Sequence, residues 1–419
     1  MTGKRVGIVG AGPGGLATAR VLLEDFIGVN VTIFDSNPEI GGVWFYPEDD
    51  KSGRVMYDYL ETNISKDLMQ FSGFPFKAGV PFYPNRGQVW EYLQEYYTQF
   101  IKSNAQIDVK LSTSVVRVSK HQDGRKWIIT TGEGTTEKCY DFDYVVISNG
   151  HFTTPKIPSG VKGLDEWFQQ GRALHSKDFH NCEFARDKTI IVVGNGSSGS
   201  DIANQCSTVA SKVYVSVTNL DEVENKQGSL IEYVPKIRAV QPNGTVLFEN
   251  GDQLEDVDHL VYATGYLYTL PFFDSEFNKR LVKKDGSGIN GLWNHVIYKA
   301  DPTLAFTLLP QMVVPFPLAE SQAAVISQVF QHNITIDKDE REDRDETHNF
   351  PDLSDVEYYR TLQSVLDKTP HRFQPVVWDD AHRERRAQSA QEKKVRNGLL
   401  AKHAQQLHEN RKPYYLPRL

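Results

Sequence analysis

Two short glycine-rich runs hold the residues of this sequence whose types and spacing could do chemistry. Gly10-Ala11-Gly12-Pro13-Gly14-Gly15 and Gly194-Asn195-Gly196-Ser197-Ser198-Gly199 each follow an apolar run, and each fits G-x-G-x-x-G. The pattern suits a pyrophosphate. Its first glycine permits a tight turn, its second lets phosphate approach the backbone, and its third lets the next helix pack close to the strand. The free N–H groups at the start of that helix then face the anion. Gly10, Gly12 and Gly15 take these places in the first run, with Gly14 beside them. In the second run Gly194, Gly196 and Gly199 do so, with Ser197 and Ser198 inside the turn.

The two runs differ in the strand after the turn. Val31-Thr32-Ile33-Phe34 reads as a strand and ends at Asp35, twenty residues after Gly15. A carboxylate there can accept hydrogen bonds from ribose hydroxyls. The strand after the second turn, Lys212-Val213-Tyr214-Val215-Ser216-Val217, contains no acid and runs into Thr218. With no carboxylate to repel a 2′-phosphate, NADPH is favoured over NADH. No arginine follows nearby, which leaves the phosphate to a hydroxyl or to Lys226. Ile40-Gly41-Gly42-Val43-Trp44 sets two glycines beside an aromatic, which suits backbone passing along a large planar cofactor; an ordinary loop around a core tryptophan fits these residues equally well. One nucleotide site for a flavin and one for a nicotinamide need neither a metal nor an acid–base triad, because the cofactors carry the hard chemistry.

The elements that must position these turns form an internal quasi-repeat. Each copy opens with a strand, a glycine-rich turn and a helix. Each closes with an aspartate, a short apolar strand and a glycine seven residues after the aspartate: Asp143 and Gly150 in the first, Asp258 and Gly265 in the second. Between opening and closing, residues 114–118 with 127–131, and 236–240 with 245–249, alternate like β-meanders. The first copy is lengthened by an insert at 41–101. The expected fold is α/β, with two Rossmann-like dinucleotide-binding domains and the smaller inserted in the larger. Residues 1–155 and 266–419 are expected to form a discontinuous FAD domain, and 156–265 the NADPH domain.

Composition excludes several classes. A net charge of −8 over 419 residues gives no whole-molecule attraction to nucleic acid or anionic lipid. Cys139, Cys182 and Cys206 form no C-x-x-C pair, and neither cysteines nor histidines show metal-ligand spacing. So sparse and odd a cysteine count fits a reducing, cytoplasmic compartment. The first residues show no signal-peptide core. The apolar stretch 302–319 is broken by Pro310, Gln311, Pro315 and Pro317 and reads as core rather than a membrane span. Residues 336–346 and 381–412 read as exposed. The latter is a basic helical pattern with a thin stripe of Val395, Leu399, His403 and Leu407, more typical of a solvated packing helix than a membrane-surface one.

The chain resembles the flavin-containing monooxygenases over nearly its whole length. The resemblance rests on both turns, Gly41-Gly42-Val43-Trp44, Leu60-Glu61-Thr62-Asn63-Ile64-Ser65-Lys66, Phe71-Ser72-Gly73-Phe74-Pro75 and Ala263-Thr264-Gly265-Tyr266. The family fingerprint F-x-G-x-x-x-H-x-x-x-[YF] is met from Gly171 through His175 to Phe179, with one extra residue between Phe168 and Gly171. Arg54-Val55-Met56-Tyr57-Asp58, Phe179-His180-Asn181-Cys182-Glu183-Phe184-Ala185-Arg186 and Pro375-Val376-Val377-Trp378-Asp379-Asp380 resemble the family's short yeast branch, the thiol-specific flavin monooxygenases.

The resemblance implies that NADPH reduces FAD, that dioxygen adds to give a C4a-hydroperoxide, and that a soft nucleophile takes its distal oxygen. The branch implies small thiols of the cysteamine or glutathione kind, with oxidised sulfur products such as disulfides. By the same resemblance Asn63 is the active-site amide, able to hydrogen-bond without titrating. Thr62 beside it and Gln322 would touch cofactor, whereas residue type alone would make Asn63 a helix cap. His175 is expected to be structural rather than catalytic. The yeast branch implies a place on the cytosolic face of the endoplasmic reticulum, with peripheral membrane contact; a homodimer is one option for assembly. A flavin disulfide reductase would need a cysteine pair that the spacing does not supply. A Baeyer–Villiger enzyme would end the fingerprint in Trp where Phe179 stands. An NADPH-dependent flavin oxidase, or a non-catalytic flavin-binding scaffold, would also carry the first turn and its acid.

Overall fold

The computed structural model describes residues 3–132, 136–223, 230–336 and 347–417. These form two compact units. The first comprises Met1–Phe45, Ile64–Thr153 and Leu267–Ala390; the second comprises Tyr46–Asn63, Thr154–Tyr266 and Gln391–Leu419.

The first unit is built on a seven-stranded sheet. Five strands run parallel in the spatial order Leu304–Phe306, Tyr144–Ile147, Arg5–Val9, Asn30–Phe34 and Ile107–Lys110. Leu292–Trp293 and Ile297–Tyr298 extend it as antiparallel edge strands. Strand side chains alternate between faces. Val6, Ile8, Val31, Ile33, Tyr144 and Val146 therefore join a core with the helices Pro13–Asp25, Arg86–Phe100, Pro315–Phe330 and Ser354–Leu366. Val9, Phe34, Val145 and Ile147 turn the other way, against a meander of Val115–Lys120, Trp127–Thr131 and Lys138–Phe142. The apolar stretch after residue 302 is indeed core: it supplies a central strand and the start of a helix buried from Phe316 to Phe330. Among the described residues no helix is long and apolar enough to cross a membrane.

A buried ion pair ties three helices of this unit. The Glu320 carboxylate accepts from Arg20 Nη1 at 3.0 Å, from Tyr96 Oη at 3.0 Å and from the Ser72 amide at 2.7 Å. Burial outweighs these partners and pushes the Glu320 carboxyl up to about 7. Breaking such a pair ordinarily costs about 3–5 kcal/mol. Because this carboxyl can take a proton near neutrality, Arg20→Met is expected to cost less, about 2 kcal/mol. A urea-unfolding midpoint unchanged by that substitution would contradict the pair's contribution.

The second unit repeats the plan on a smaller scale. Its five parallel strands lie in the order Ile231–Val234, Lys212–Ser216, Thr189–Val193, His259–Tyr262 and Ala173–His175. One face packs on the helix Ser197–Cys206 through Ile190, Val192, Val213 and Val215. The other meets a meander of Ile237–Val240, Val246–Phe248 and Gln253–Leu254. The fold is thus α/β with two Rossmann-like domains.

The unit limits differ from the expected domain limits at two segments. Residues 46–63 and 391–419 were expected with the larger domain, yet they pack with 154–266. Tyr57, Ala404, Leu407 and Tyr414 join the core around Ile190 and Ile202. The apolar stripe of the C-terminal helix, Asp380–Glu409, also differs from expectation. Leu400, Ala404 and Leu407 are buried, whereas Val395 is 56% and Leu399 43% exposed. The helix is rotated so that its cations reach acids. Arg385 meets Asp67 and Arg386 meets Asp355 in the first unit, while Lys393 and Arg396 meet Glu61 in the second. Basic side chains engaged in this way are not available to a membrane surface. Of the segment expected to be exposed at 336–346, Ile336 is buried and the rest lies outside the described residues.

Candidate active site

The first turn is held by close backbone approaches. Gly10 has φ +109°, its N–H donates to the Phe34 carbonyl at 2.8 Å, and a Cβ on it would stand 2.3 Å from the Ser148 carbonyl. A Cβ on Gly15 would stand 1.9 Å from the Gly10 carbonyl, so only glycine lets the helix begin here. Asp35 Oδ2 accepts from the Ala11 amide at 2.6 Å and Oδ1 from the Asn37 amide at 2.8 Å. The acid therefore fastens the turn itself, at the place where a carboxylate accepts from a ribose. Gly41 donates to the Ala11 carbonyl at 2.9 Å, and a Cβ on Gly42 would meet Gly12 Cα at 2.9 Å. The two glycines before Val43 thus let one backbone pass another. Val43 and Trp44 are half-buried in the short turn Gly42–Trp44, with the Trp44 ring edge-on to Phe316 at 6.3 Å.

Residues at the ends of neighbouring strands surround this turn. Gly14 lies against Thr307 Oγ1 and Leu308. Gln322 is fully buried; its Oε1 accepts from the Leu308 amide at 2.9 Å and its Nε2 donates to Tyr358 Oη at 3.0 Å. It holds Leu308, at φ +55°, beside the turn. His151, just beyond the strand Tyr144–Ile147, is buried, and neither ring nitrogen makes a hydrogen bond of ordinary geometry. A glycine cradle, an acid and a buried imidazole with poorly satisfied nitrogens at the carboxyl ends of parallel strands fit a dinucleotide such as FAD.

His151 also opens a buried histidine cluster that no sequence spacing announces. Its ring lies 5.0 Å from Tyr268, and the Tyr268 ring lies 5.4 Å from His348. His348 Nε2 accepts from the Ile289 amide at 3.0 Å, so its proton is on Nδ1 and points to His295 Nδ1 at 2.9 Å. Burial pushes His151 and His295 down to about 4 and His348 to about 3. Depressed bases contribute stability above their unfolded value of about 6.5, and that stability is lost as pH falls toward 4. Glu320 and Asp201, whose pKa values burial raises, pull the opposite way. The check is therefore a difference between two proteins. Removing one titrating ring with His348→Gln should flatten stability against pH by about 1.4 kcal/mol per unit between roughly 4 and 6.5. Parallel curves would show that the ring does not titrate on unfolding.

The second turn has the same shape. Gly194 has φ +103° and donates to the Ser216 carbonyl at 3.0 Å. Gly12 and Gly196 cap their helices at φ −74° and −73°. A Cβ on Gly199 would stand 2.0 Å from the Gly194 carbonyl. Asp143 and Asp258 each accept from the first amide of the opening strand, Arg5 and Thr189, at 2.9 Å. Since Gly10 bonds Phe34 and Gly194 bonds Ser216, the residue matching Asp35 is Val217, one place before Thr218. Asn195, Gly196, Ser197 and Ser198 are exposed, and among the described residues a Cβ on Gly196 would meet nothing within 4 Å. An open anion cradle with valine in the acid's place fits a 2′-phosphorylated dinucleotide. The Ser216 hydroxyl is spent on the Pro235 carbonyl, and Lys226 lies outside the described residues.

Asn63 belongs to the second unit and is exposed, with no hydrogen bond to its amide among the described residues. It caps no helix; Ser65 stands at the N-cap of Lys66–Met69. Thr62 is buried, and its hydroxyl has no partner among the described residues. His175 donates from Nε2 to the Gly265 carbonyl at 3.0 Å and accepts at Nδ1 from the Lys177 amide at 3.1 Å, so both ring nitrogens are occupied structurally.

Comparison with known proteins agrees with this architecture. Residues 3–230 and 227–349 match the family model described as flavin-binding monooxygenase-like. The thiol-specific monooxygenase of Saccharomyces cerevisiae is 46% identical over 425 residues, covering 99% of this chain and 98% of its own. Flavin-containing monooxygenase FMO GS-OX-like 9 of Arabidopsis thaliana is 29% identical, covering 85% of this chain and 83% of its own. The solved structure of S-allyl-L-cysteine S-oxygenase from Allium sativum matches with a TM-score of 0.77, covering 97% of this chain and 99% of that one; at 24% identity it speaks to fold alone. This chain belongs to the flavin-binding monooxygenase-like family, whose members are monooxygenases that work with FAD and NADPH.

Proposed function

We propose that this enzyme places one atom of dioxygen on the sulfur of small thiols, of the cysteamine or glutathione kind, and so yields disulfides. The observation that carries the cofactor assignment is the pair of turns alike in backbone and unlike at Asp35 and Val217. Gly10, Gly12, Gly14, Gly15 and Asp35 would hold FAD, with Gly42, Val43, Trp44 and Gln322 around it. Gly194, Gly196, Ser197, Ser198 and Gly199 would hold NADPH. Thiols as the substrate class are supported by the 46% identity to the yeast enzyme over nearly the full chain. A bound flavin would supply the redox chemistry, passing the electrons of NADPH to dioxygen.

The chain's own part is to position and exclude. Asn63, with an unbonded amide, would hydrogen-bond the reacting groups at any pH. Thr62 would add its unpartnered hydroxyl. No base is required of the protein for a thiol that reacts as thiolate. For location, the yeast-type resemblance supports the cytosol, including the cytosolic face of the endoplasmic reticulum.

The balance to be tested is two thiols, one dioxygen, one NADPH and one proton giving one disulfide, two waters and NADP⁺. Purified enzyme with NADPH and cysteamine should consume two thiols per NADPH without accumulating hydrogen peroxide. One peroxide per NADPH, unaffected by cysteamine, would replace this reading with that of an oxidase.

A further inference from the structure

The residue before Asn63 is held by side chains from the far end of the chain. Glu61 is buried, and its carboxylate receives a fork from Arg396, Nε to Oε1 at 3.1 Å and Nη2 to Oε2 at 2.6 Å. Lys393 Nζ reaches the same carboxylate at 2.9 Å and also donates to the Thr62 carbonyl at 3.0 Å. The two cations are three residues apart on one helix, hence on one face. Their side chains are only 14% and 12% exposed. The start of the same segment is bolted to the second-turn helix, where Tyr57 Oη donates to Asp201 Oδ2 at 2.6 Å and Gln205 Nε2 to the Tyr59 carbonyl at 3.4 Å. All of these residues belong to the second unit.

Two arguments make this more than packing. A buried carboxylate with two cations is a poor route to stability, because desolvation consumes most of the Coulombic gain and an apolar cluster of equal volume would serve as well. What an apolar cluster could not do is fix a peptide plane. The Thr62 carbonyl and the Asn63 nitrogen share one planar peptide, so a hydrogen bond to that oxygen sets the direction in which Asn63 leaves the backbone. Arg396 forks both oxygens of the carboxylate, which holds Glu61 in place to orient Lys393.

We propose that Glu61, Lys393 and Arg396 are positioning residues for Asn63, and that the C-terminal helix thereby takes part in oxygen transfer. The proposal rests on the role given to Asn63 above. The test uses full-length FAD-loaded enzyme with NADPH and cysteamine, and reads thiol oxidised and hydrogen peroxide released per NADPH, alongside FAD content and the rate of flavin reduction. Lys393→Met should lower thiol oxidised per NADPH about tenfold, the missing fraction returning as peroxide, since a small misplacement of a catalytic group costs one to two orders of magnitude. Flavin reduction and FAD content should stay within about twofold of wild type. Lys393→Arg, which can still reach both oxygens, should recover most of the coupling; a merely structural lysine would give no such split. Should Lys393→Met lose FAD, Arg396→Lys keeps the charge and removes the fork, and is expected to uncouple in the same way.

Normal coupling in Lys393→Met, or equal loss in the arginine and methionine variants, would overturn the proposal. Asn63→Ala separates the two failures. If that variant uncouples while the lysine variants do not, the clamp alone is wrong. If Asn63→Ala itself couples normally, the reading of Asn63 falls and takes the clamp with it.

Discussion

Asn63→Ala is expected to leave a folded, FAD-loaded enzyme that oxidises NADPH and transfers about one hundredth of the oxygen to thiol. The magnitude is that of removing one preorganised hydrogen-bonding group from an active site, about 10² to 10³ in rate. The structure makes the substitution unusually clean. The Asn63 side chain is exposed, bonded to nothing in the described protein and capping no helix, so its loss strands no partner. A purely structural asparagine there would show almost no effect. Thermal midpoint, FAD content and peroxide release on one preparation discriminate: unchanged midpoint with peroxide in place of disulfide is the expected pattern. Near-normal thiol oxidation would remove Asn63 from the mechanism.

Gly196→Val should raise the KM for NADPH about 100-fold, equivalent to about 2.7 kcal/mol, with FAD content and thermal midpoint unchanged. Gly196 sits at φ −73°, which valine adopts without strain, and among the described residues a Cβ there meets no atom within 4 Å. Such a side chain stands where a ligand at the helix start would lie. Gly199→Val is the control, because its Cβ would fall 2.0 Å from the Gly194 carbonyl and must break the turn. Unchanged NADPH kinetics in Gly196→Val would contradict the assignment of the second turn. Loss of FAD in that variant, with NADPH kinetics intact, would exchange the two sites.

Much of this was legible because the informative signals are local. Each turn, its strand and its helix lie within a few residues, and steric demands at Gly10, Gly15, Gly194 and Gly199 leave little choice of residue. The closing aspartates could be seen as a repeat, but their bonds to the Arg5 and Thr189 amides show what they do. That Val217 takes the place of Asp35 is fixed by hydrogen bonds at the strand ends, which spacing does not reveal.

What the sequence hid is non-local. The rings of the histidine cluster come from positions 151, 295 and 348, and nothing periodic links them. The stripe on the C-terminal helix was misjudged because ion pairs to Glu61 set the helix's rotation and left Val395 and Leu399 outside. Gln322 bonds Leu308 and Tyr358 through the two ends of its amide and so holds Leu308 beside the first turn. That buried role in shaping the turn has no signature in residue type.

The bond between Lys393 and Glu61 joins positions 332 residues apart. On the ribosome this imposes an order. The first glycine turn and its strands emerge early, and their fold can begin to form while the end of the message is still unread. Glu61 and Thr62 must wait, hydrated and unclamped, until the last helix is made. By that reading coupling waits for Lys393 and Arg396, and a product terminated before them that still took up flavin would lack the anchor proposed for Asn63. If the clamp orients Asn63, a ribosome stall before Lys393 would yield a species that spends NADPH on peroxide, and translation quality at those codons would bear directly on oxidative load.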